Sequence, residues 1–236
     1  MIRLGMLTPS SNTTLEPVTY ELLRDVLGVS AHFARFRVTE IGLGAAAIGQ
    51  FEMGPILDAA ELLAHAKCDA IVWNGTSASW LGFERDEALV GAIEARTGIR
   101  AATCVLGYRD LFRRHGIKRV GLVTPYTSDV QARIGQVWSA HGFGVVSERH
   151  SGLSDNFSFA LVAEDDVVRM VREVAAAKCE AVAIVCTNMR GAAVGAQLES
   201  EIGVPVFDSV AVSLWAGLTT AGASTAGLAR WGRGYS

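Results

Sequence analysis

Apolar runs bounded by small polar residues recur along this chain, and stretches of helical periodicity fill the gaps between them. Residues 2–7 form the first run, which stops at Thr8-Pro9-Ser10-Ser11-Asn12-Thr13-Thr14, a loop dense in hydroxyl and amide groups. An apolar run of about four to eight residues between turn signals reads as a strand buried on both faces. Thr14 and Pro17 predict a helix running to about residue 27, and residues 29–37 alternate in part, as a strand nearer an edge does. The Gly- and Ala-rich linker 39–54 is placed to cover or line something. A helix over 55–66 leads to the strand 70–73 and the loop 74–82. Then come a charged helix over 84–96, a Thr97-Gly98 stop, a short strand at 100–103 and a helix over 105–115 ended by Gly116.

The same order then begins again. Arg119-Val120-Gly121-Leu122-Val123-Thr124-Pro125-Tyr126 repeats Arg3-Leu4-Gly5-Met6-Leu7-Thr8-Pro9-Ser10 at an offset of 116, from position 9 to 125. Lys178-Cys179-Glu180-Ala181-Val182-Ala183-Ile184-Val185-Cys186-Thr187-Asn188 repeats Lys67-Cys68-Asp69-Ala70-Ile71-Val72-Trp73-Asn74-Gly75-Thr76-Ser77 at 111, from position 75 to 186. Thr97-Gly98-Ile99 meets Ile202-Gly203-Val204 at 105, from position 98 to 203. Matches in one order, with a slowly falling offset, argue for internal duplication. The expected fold is α/β, with two similar halves, 1–116 and 117–236, each a parallel sheet flanked by helices. Open α/β sheets keep ligands beyond the carboxyl ends of their strands, so the expected active site is the cleft between the halves. A last helix, over about 209–220, is placed to cross back to the first half.

Half of the residues are hydrophobic, enough for a substantial core. A net charge of −3 and a pI near 6.0 leave no basic footprint, so nucleic acid is not an expected partner. The Gly/Ala-rich stretch 210–228 is broken by Ser, Thr and Gly and fits a packing helix better than a membrane span. The chain enters a β-like run almost at once without a signal-peptide layout, so the expected location is the cytoplasm, where a free thiol persists. Cysteines at 68, 104, 179 and 186 show neither metal spacing nor a disulfide framework, and the five histidines do not pair, so no metal is expected. The oligomeric state is open, a homo-oligomer included.

Four loops converge in this arrangement and offer Ser10, Ser11, Asn12, Gly75, Thr76, Ser77, Tyr126, Thr127, Cys186, Thr187 and Asn188. The set is rich in neutral hydrogen-bond donors and holds one ionisable nucleophile or acid. Such a pocket suits a carboxylate or a developing enolate, whose charge needs preorganised donors. Helix starts after Gly75 and Cys186 are expected to attract an anion and to depress the thiol pKa. Plainer roles exist for each group: Cys68, Cys104 and Cys179 as small buried hydrophobes, Asn12 and Thr14 as helix caps, Tyr126 as a turn residue. Gly42-Leu43-Gly44-Ala45-Ala46-Ala47 fits a loose dinucleotide fingerprint, but it follows the second strand and Pro55 lies in the way, so no nucleotide cofactor is expected.

These residues resemble the aspartate/glutamate racemase superfamily, whose two α/β halves each contribute an active-site cysteine, and within it the maleate isomerase and arylmalonate decarboxylase branch. The segment 9–14 looks like the maleate isomerase opening loop, which implies carboxylate binding by Asn12; Asp155-Asn156 also resembles a carboxylate-binding segment, implicating Asn156. Gly75-Thr76-Ser77-Ala78-Ser79 looks like the decarboxylase loop, where glycine replaces the first cysteine and the Thr and Ser form a dioxyanion hole with the tyrosine matched here by Tyr126. Val185-Cys186 matches the retained cysteine, which protonates the enediolate. The resemblance thus implies a cofactor-independent decarboxylase of a small malonate-type acid. Two opposed thiols, as racemization needs, are excluded by Gly75. The alternatives are a maleate isomerase or amino-acid racemase with an unrecognised second group, and a carboxylate-binding protein without turnover. Thr187-Asn188 stand where the decarboxylase has a Gly-Gly pair, which points to a more polar substrate.

Overall fold

The computed structural model describes residues 1–235. Its first half runs β1 (Ile2–Pro9), α1 (Leu15–Leu23), β2 (Val29–Phe36), α2 (Ala45–Gly49), α3 (Met53–His65), β3 (Ala70–Trp73), α4 (Ala78–Leu81), α5 (Phe83–Thr97), β4 (Ala101–Thr103) and α6 (Cys104–Arg114). The second runs β5 (Arg119–Thr124), α7 (Ser128–Ala140), β6 (Gly144–His150), a 3₁₀ turn (Phe157–Leu161), α8 (Glu164–Ala175), β7 (Ala181–Ile184), α9 (Ala192–Ile202), β8 (Val206–Asp208) and α10 (Ser209–Ala221). A second 3₁₀ turn, Ala226–Trp231, follows. Each half forms a four-stranded sheet, ordered β2-β1-β3-β4 and β6-β5-β7-β8, with every named strand pair parallel. The two sheets have the same order, as a duplicated chain requires.

The copies agree at the level of single residues. Among the described residues, Lys67 and Lys178 alone take a positive φ without being glycine, at 52° and 57°. Each precedes a buried cysteine and then an acid that clamps the neighbouring strand. Asp69 Oδ2 accepts from Arg3 N–H at 2.7 Å, and Glu180 Oε2 accepts from Arg119 N–H at 3.0 Å. The cysteines pack under the middle of the central strands, where a Cβ at Gly5 or Gly121 would lie 3.2 Å from the sulfur of Cys68 or Cys179. Glycine at these two places is what admits the thiols, which act as small core residues.

Several boundaries differ from the sequence expectation. Strand β1 runs on to Pro9, because its end still pairs with Phe36. Helix α1 stops at Leu23 and the chain turns through Gly28 at φ 75°, short of the expected end at 27. The linker 39–54 and the loop 74–82 contain the short helices α2 and α4.

Helix α10 belongs to the second half yet lies on the first sheet: a Cβ on Gly217 would come within 2.6 Å of Val72 Cγ2. Asp208 starts it, accepting from Val210 N–H at 2.8 Å and Ala211 N–H at 3.2 Å. In return α6 reaches the second sheet, placing Tyr108 Oη 2.7 Å from Ile184 O and 3.1 Å from Phe207 O. One hydrophobic core therefore runs through both halves. No helix among the described residues is long and apolar enough to cross a membrane.

Candidate active site

Both sheets end their central strands at a common seam. Beyond β3 the chain passes through Asn74, Gly75, Thr76 and Ser77; beyond β7 it passes through Val185, Cys186, Thr187 and Asn188. Thr187 Oγ1 donates to Asn74 O at 2.9 Å, joining the two strand ends. A small cavity lies there, lined by Pro9, Val38, Ile41, Phe51, Gly75, Thr76, Ser77, Trp80, Tyr126, Asn156, Cys186 and Thr187. It encloses about 20 Å³, room for roughly one water molecule.

Of the sequence-predicted site residues, Gly75, Thr76, Ser77, Tyr126, Asn156, Cys186 and Thr187 line this cavity, while Ser10 Oγ donates to Val38 O and Thr127 Oγ1 to Asp129 Oδ1, both outside its lining. Asn12, Asn188 and Ser11 stand behind the wall and hold it. Asn12 Oδ1 accepts from Thr14 N–H at 3.0 Å and Leu15 N–H at 2.8 Å, capping α1, while its Nδ2 donates to Thr187 Oγ1 at 3.1 Å. Asn188 Oδ1 accepts from the N–H groups of Thr13 and Thr14 at 2.9 and 3.1 Å, and its Nδ2 donates to Asn156 O at 2.5 Å. Ser11 Oγ accepts from Asn156 Nδ2 at 2.7 Å and donates to Val38 O at 2.6 Å. These bonds tie the loop after β1 to both loops of the second half, with nearly every amide group used.

The reacting groups sit together. Thr76 Oγ1 and Tyr126 Oη are 2.7 Å apart, and Tyr126 borders the same cavity as Cys186, near enough for each to influence the other's ionisation. Cys186 is 3 % exposed, and its sulfur accepts from Asn188 N–H at 3.3 Å. Burial pushes the thiol up to about 12, against the weaker lowering effect of that N–H and of Tyr126. Burial likewise pushes the Tyr126 hydroxyl well above its usual value. The expected depression of the thiol pKa by a helix start is thus overturned. Helix α9 begins at Ala192, well past Cys186, and α4 after Gly75 is a single turn, so neither expected helix start stands next to the sulfur in the chain. The resting group is a neutral thiol, suited to give a proton.

The apolar half of the wall escaped the sequence reading. Trp80 packs edge-on to Tyr126 and Phe51, with ring centroids at 5.3 and 6.0 Å. Its place in α4, one turn beyond the Thr-Ser pair, was the available signal. Val38, Ile41 and Phe51 come from the linker 39–54 and the residue before it. That segment crosses to the second half: Ile41 N–H donates to Ser154 O at 2.8 Å, Asn156 N–H donates to Thr39 O at 2.9 Å, and Glu40 bridges Asp155. No three His, Cys, Asp or Glu residues among those described are grouped to hold a metal ion.

The architecture is shared with solved enzymes. A Nocardia farcinica maleate cis-trans isomerase variant with a covalently bound succinylcysteine intermediate superposes with a TM-score of 0.88 over 99% of this chain and 98% of its own, at 20% identity. A liganded, doubly substituted arylmalonate decarboxylase gives a TM-score of 0.83 over 94% of this chain and 93% of its own, at 18% identity. By sequence, a maleate isomerase from Nocardia farcinica is 25% identical over 217 residues, covering 88% of this chain and 85% of that protein. The arylmalonate decarboxylase family profile matches residues 25–231, and the chain belongs to that family, in the arylmalonate decarboxylase and maleate isomerase branch of the aspartate/glutamate racemase superfamily.

Proposed function

We propose that this protein is a cofactor-independent decarboxylase of a small malonate-type acid. The observation that carries the reading is one buried, protonated thiol, Cys186, facing the paired hydroxyls of Thr76 and Tyr126, with glycine at the matching strand end. In the reaction the bond from the α-carbon to one carboxylate breaks, and carbon dioxide leaves without the electron pair. The pair delocalises into the remaining carboxylate as an enediolate, whose oxygens take hydrogen bonds from Thr76, Ser77 and Tyr126. Cys186 then gives its proton to the α-carbon, and the thiolate, held by the Asn188 N–H, regains a proton from solvent. Asn12 and Asn156 position the substrate-side loops. Trp80 lines the cavity with a buried Nε1–H that has no protein partner, a donor that a bound carboxylate would satisfy.

A second reading has support in the maleate isomerase relative and in the polar Thr187-Asn188 pair: cis-trans isomerisation of a small dicarboxylate with Cys186 as nucleophile. It is disfavoured by a thiol held protonated. Proton NMR in deuterated buffer on a mixture of phenylmalonate, methyl phenylmalonate and maleate separates the two. Loss of a malonate with deuterium appearing at the α-carbon, abolished in Cys186→Ala, is the expected result. Fumarate appearing while the malonates survive overturns decarboxylation, and silence on all three leaves a different, more polar substrate or binding without turnover.

A further inference from the structure

Gly75 borders the cavity from the first half as Cys186 does from the second, and its surroundings explain why it is glycine. A Cβ built on Gly75 would lie 1.8 Å from Cζ2, 2.3 Å from Cε2 and 2.5 Å from Cη2 of Trp73. All three atoms belong to the indole, so the collision is with a rigid ring and not with the tip of a flexible chain. The ring is 1 % exposed and packs on Phe36 with centroids 5.0 Å apart. The ring also borders a small void of about 10 Å³, with Phe51, Ile56, Ser77 and Leu89, far smaller than an indole. Burial and the Phe36 contact hold the ring where it stands.

We propose that Trp73 is a specificity-determining residue: its indole occupies the volume that any side chain at position 75 would need, and so denies the cavity a second proton donor. This rests on the decarboxylase reading for its stereochemical consequence. With one donor, the planar enediolate is protonated on the Cys186 side alone and a single product enantiomer results. A thiol at 75 would add a second donor and allow proton removal and return at both faces. Gly75 accounts for the missing second donor, and Trp73 accounts for why nothing larger than glycine fits there.

Two readouts test this on the full-length protein. The first is the thermal midpoint of Gly75→Ala, Trp73→Leu and their combination, which needs no substrate. Gly75→Ala is expected to lower the midpoint by about 5 °C with Trp73 present and by far less in the Trp73→Leu background. An equal fall in both backgrounds overturns the steric claim. The second is the enantiomeric composition of 2-phenylpropanoate formed from methyl phenylmalonate, with exchange of its α-proton in deuterated buffer. Wild type is expected to give one enantiomer without exchange, and Trp73→Leu with Gly75→Cys a mixture with exchange. Exchange by Gly75→Cys alone, as fast as by the pair, overturns the proposal. A wild type that releases no carbon dioxide overturns the decarboxylase reading, and the midpoint comparison still decides the steric one.

Discussion

The hydroxyls of Thr76 and Tyr126 lie 2.7 Å apart, one from each half of the duplicated chain. Both border the cavity that Cys186 lines, so the pair is a two-donor cradle assembled only when the halves meet. Tyr126→Phe and Thr76→Ala are each expected to lower kcat by about 10² to 10³-fold, the loss typical for one oxyanion donor. Their combination is expected to cost less than the product of the two, since the donors act on one charge. Initial rates of carbon dioxide release from the substrate found by NMR check this, and additive losses would argue that the two hydroxyls serve separate groups.

Asn188 holds the seam without lining the cavity. Its side chain accepts from two backbone N–H groups of the α1 entry and donates to Asn156 O. Asn188→Ala strands buried donors and is expected to cost about 1–3 kcal/mol of stability. Chemical denaturation measures it; a loss under about 0.5 kcal/mol would mean that water replaces the amide.

Two buried carboxyls each contribute stability that falls as the pH rises. Burial pushes Asp86 and Asp208 up to about 7. The folded state keeps these protons after the unfolded chain, at its usual carboxylate value of about 4, has lost them. Their contribution is full below pH ~4 and is lost as the pH rises to about 7. Asp86→Asn mimics the protonated form. It is expected to flatten the fall in thermal midpoint between pH 5 and 7.5, with Asp208 leaving the remainder.

The thiols act in the same sense at higher pH. Cys104 and Cys186 are both pushed up to about 12 by burial. Their contribution is present below pH ~9 and fades as the pH climbs toward 12. At pH 8 the folded protein is expected to react with a disulfide reagent slowly, at a rate set by opening of the structure, because all its cysteines are buried. Stoichiometric labelling of Cys186 within seconds, read by peptide mass, would contradict a neutral buried thiol and favour the isomerase chemistry.

Tyr108 supplies a contrast. Its hydroxyl lies between the carbonyls of Ile184 and Phe207, away from the cavity residues. Tyr108→Phe is expected to lose about 1 kcal/mol of stability and to leave kcat within about twofold. A selective fall in kcat at unchanged stability would show that the α6–β7 contact positions the strand end bearing Cys186.

The duplication was legible because repeated local chemistry survives as repeated letters. Lys-Cys-acid before a buried strand, Gly under the cysteine, and Thr-Pro at a strand end are constraints of a few neighbouring residues, and they recur as such. They determined two parallel sheets and the loops at their carboxyl ends, and hence Gly75, Thr76, Ser77, Tyr126, Cys186 and Thr187 around one cavity; Asn156, also there, was indicated only by family resemblance. Contacts made across the seam carry no such local signature. That Asn12, Ser11 and Asn188 brace the wall, that Trp80 and Phe51 close it, and that the thiol is raised by burial all depend on which loops face one another in space. Desolvation is a property of the assembled surroundings, so the sign of the Cys186 shift was decided by the tertiary structure alone. The same holds for Gly75. Its identity was plain in the sequence, but the ring that forbids anything larger was visible only once Trp73 had been folded against it.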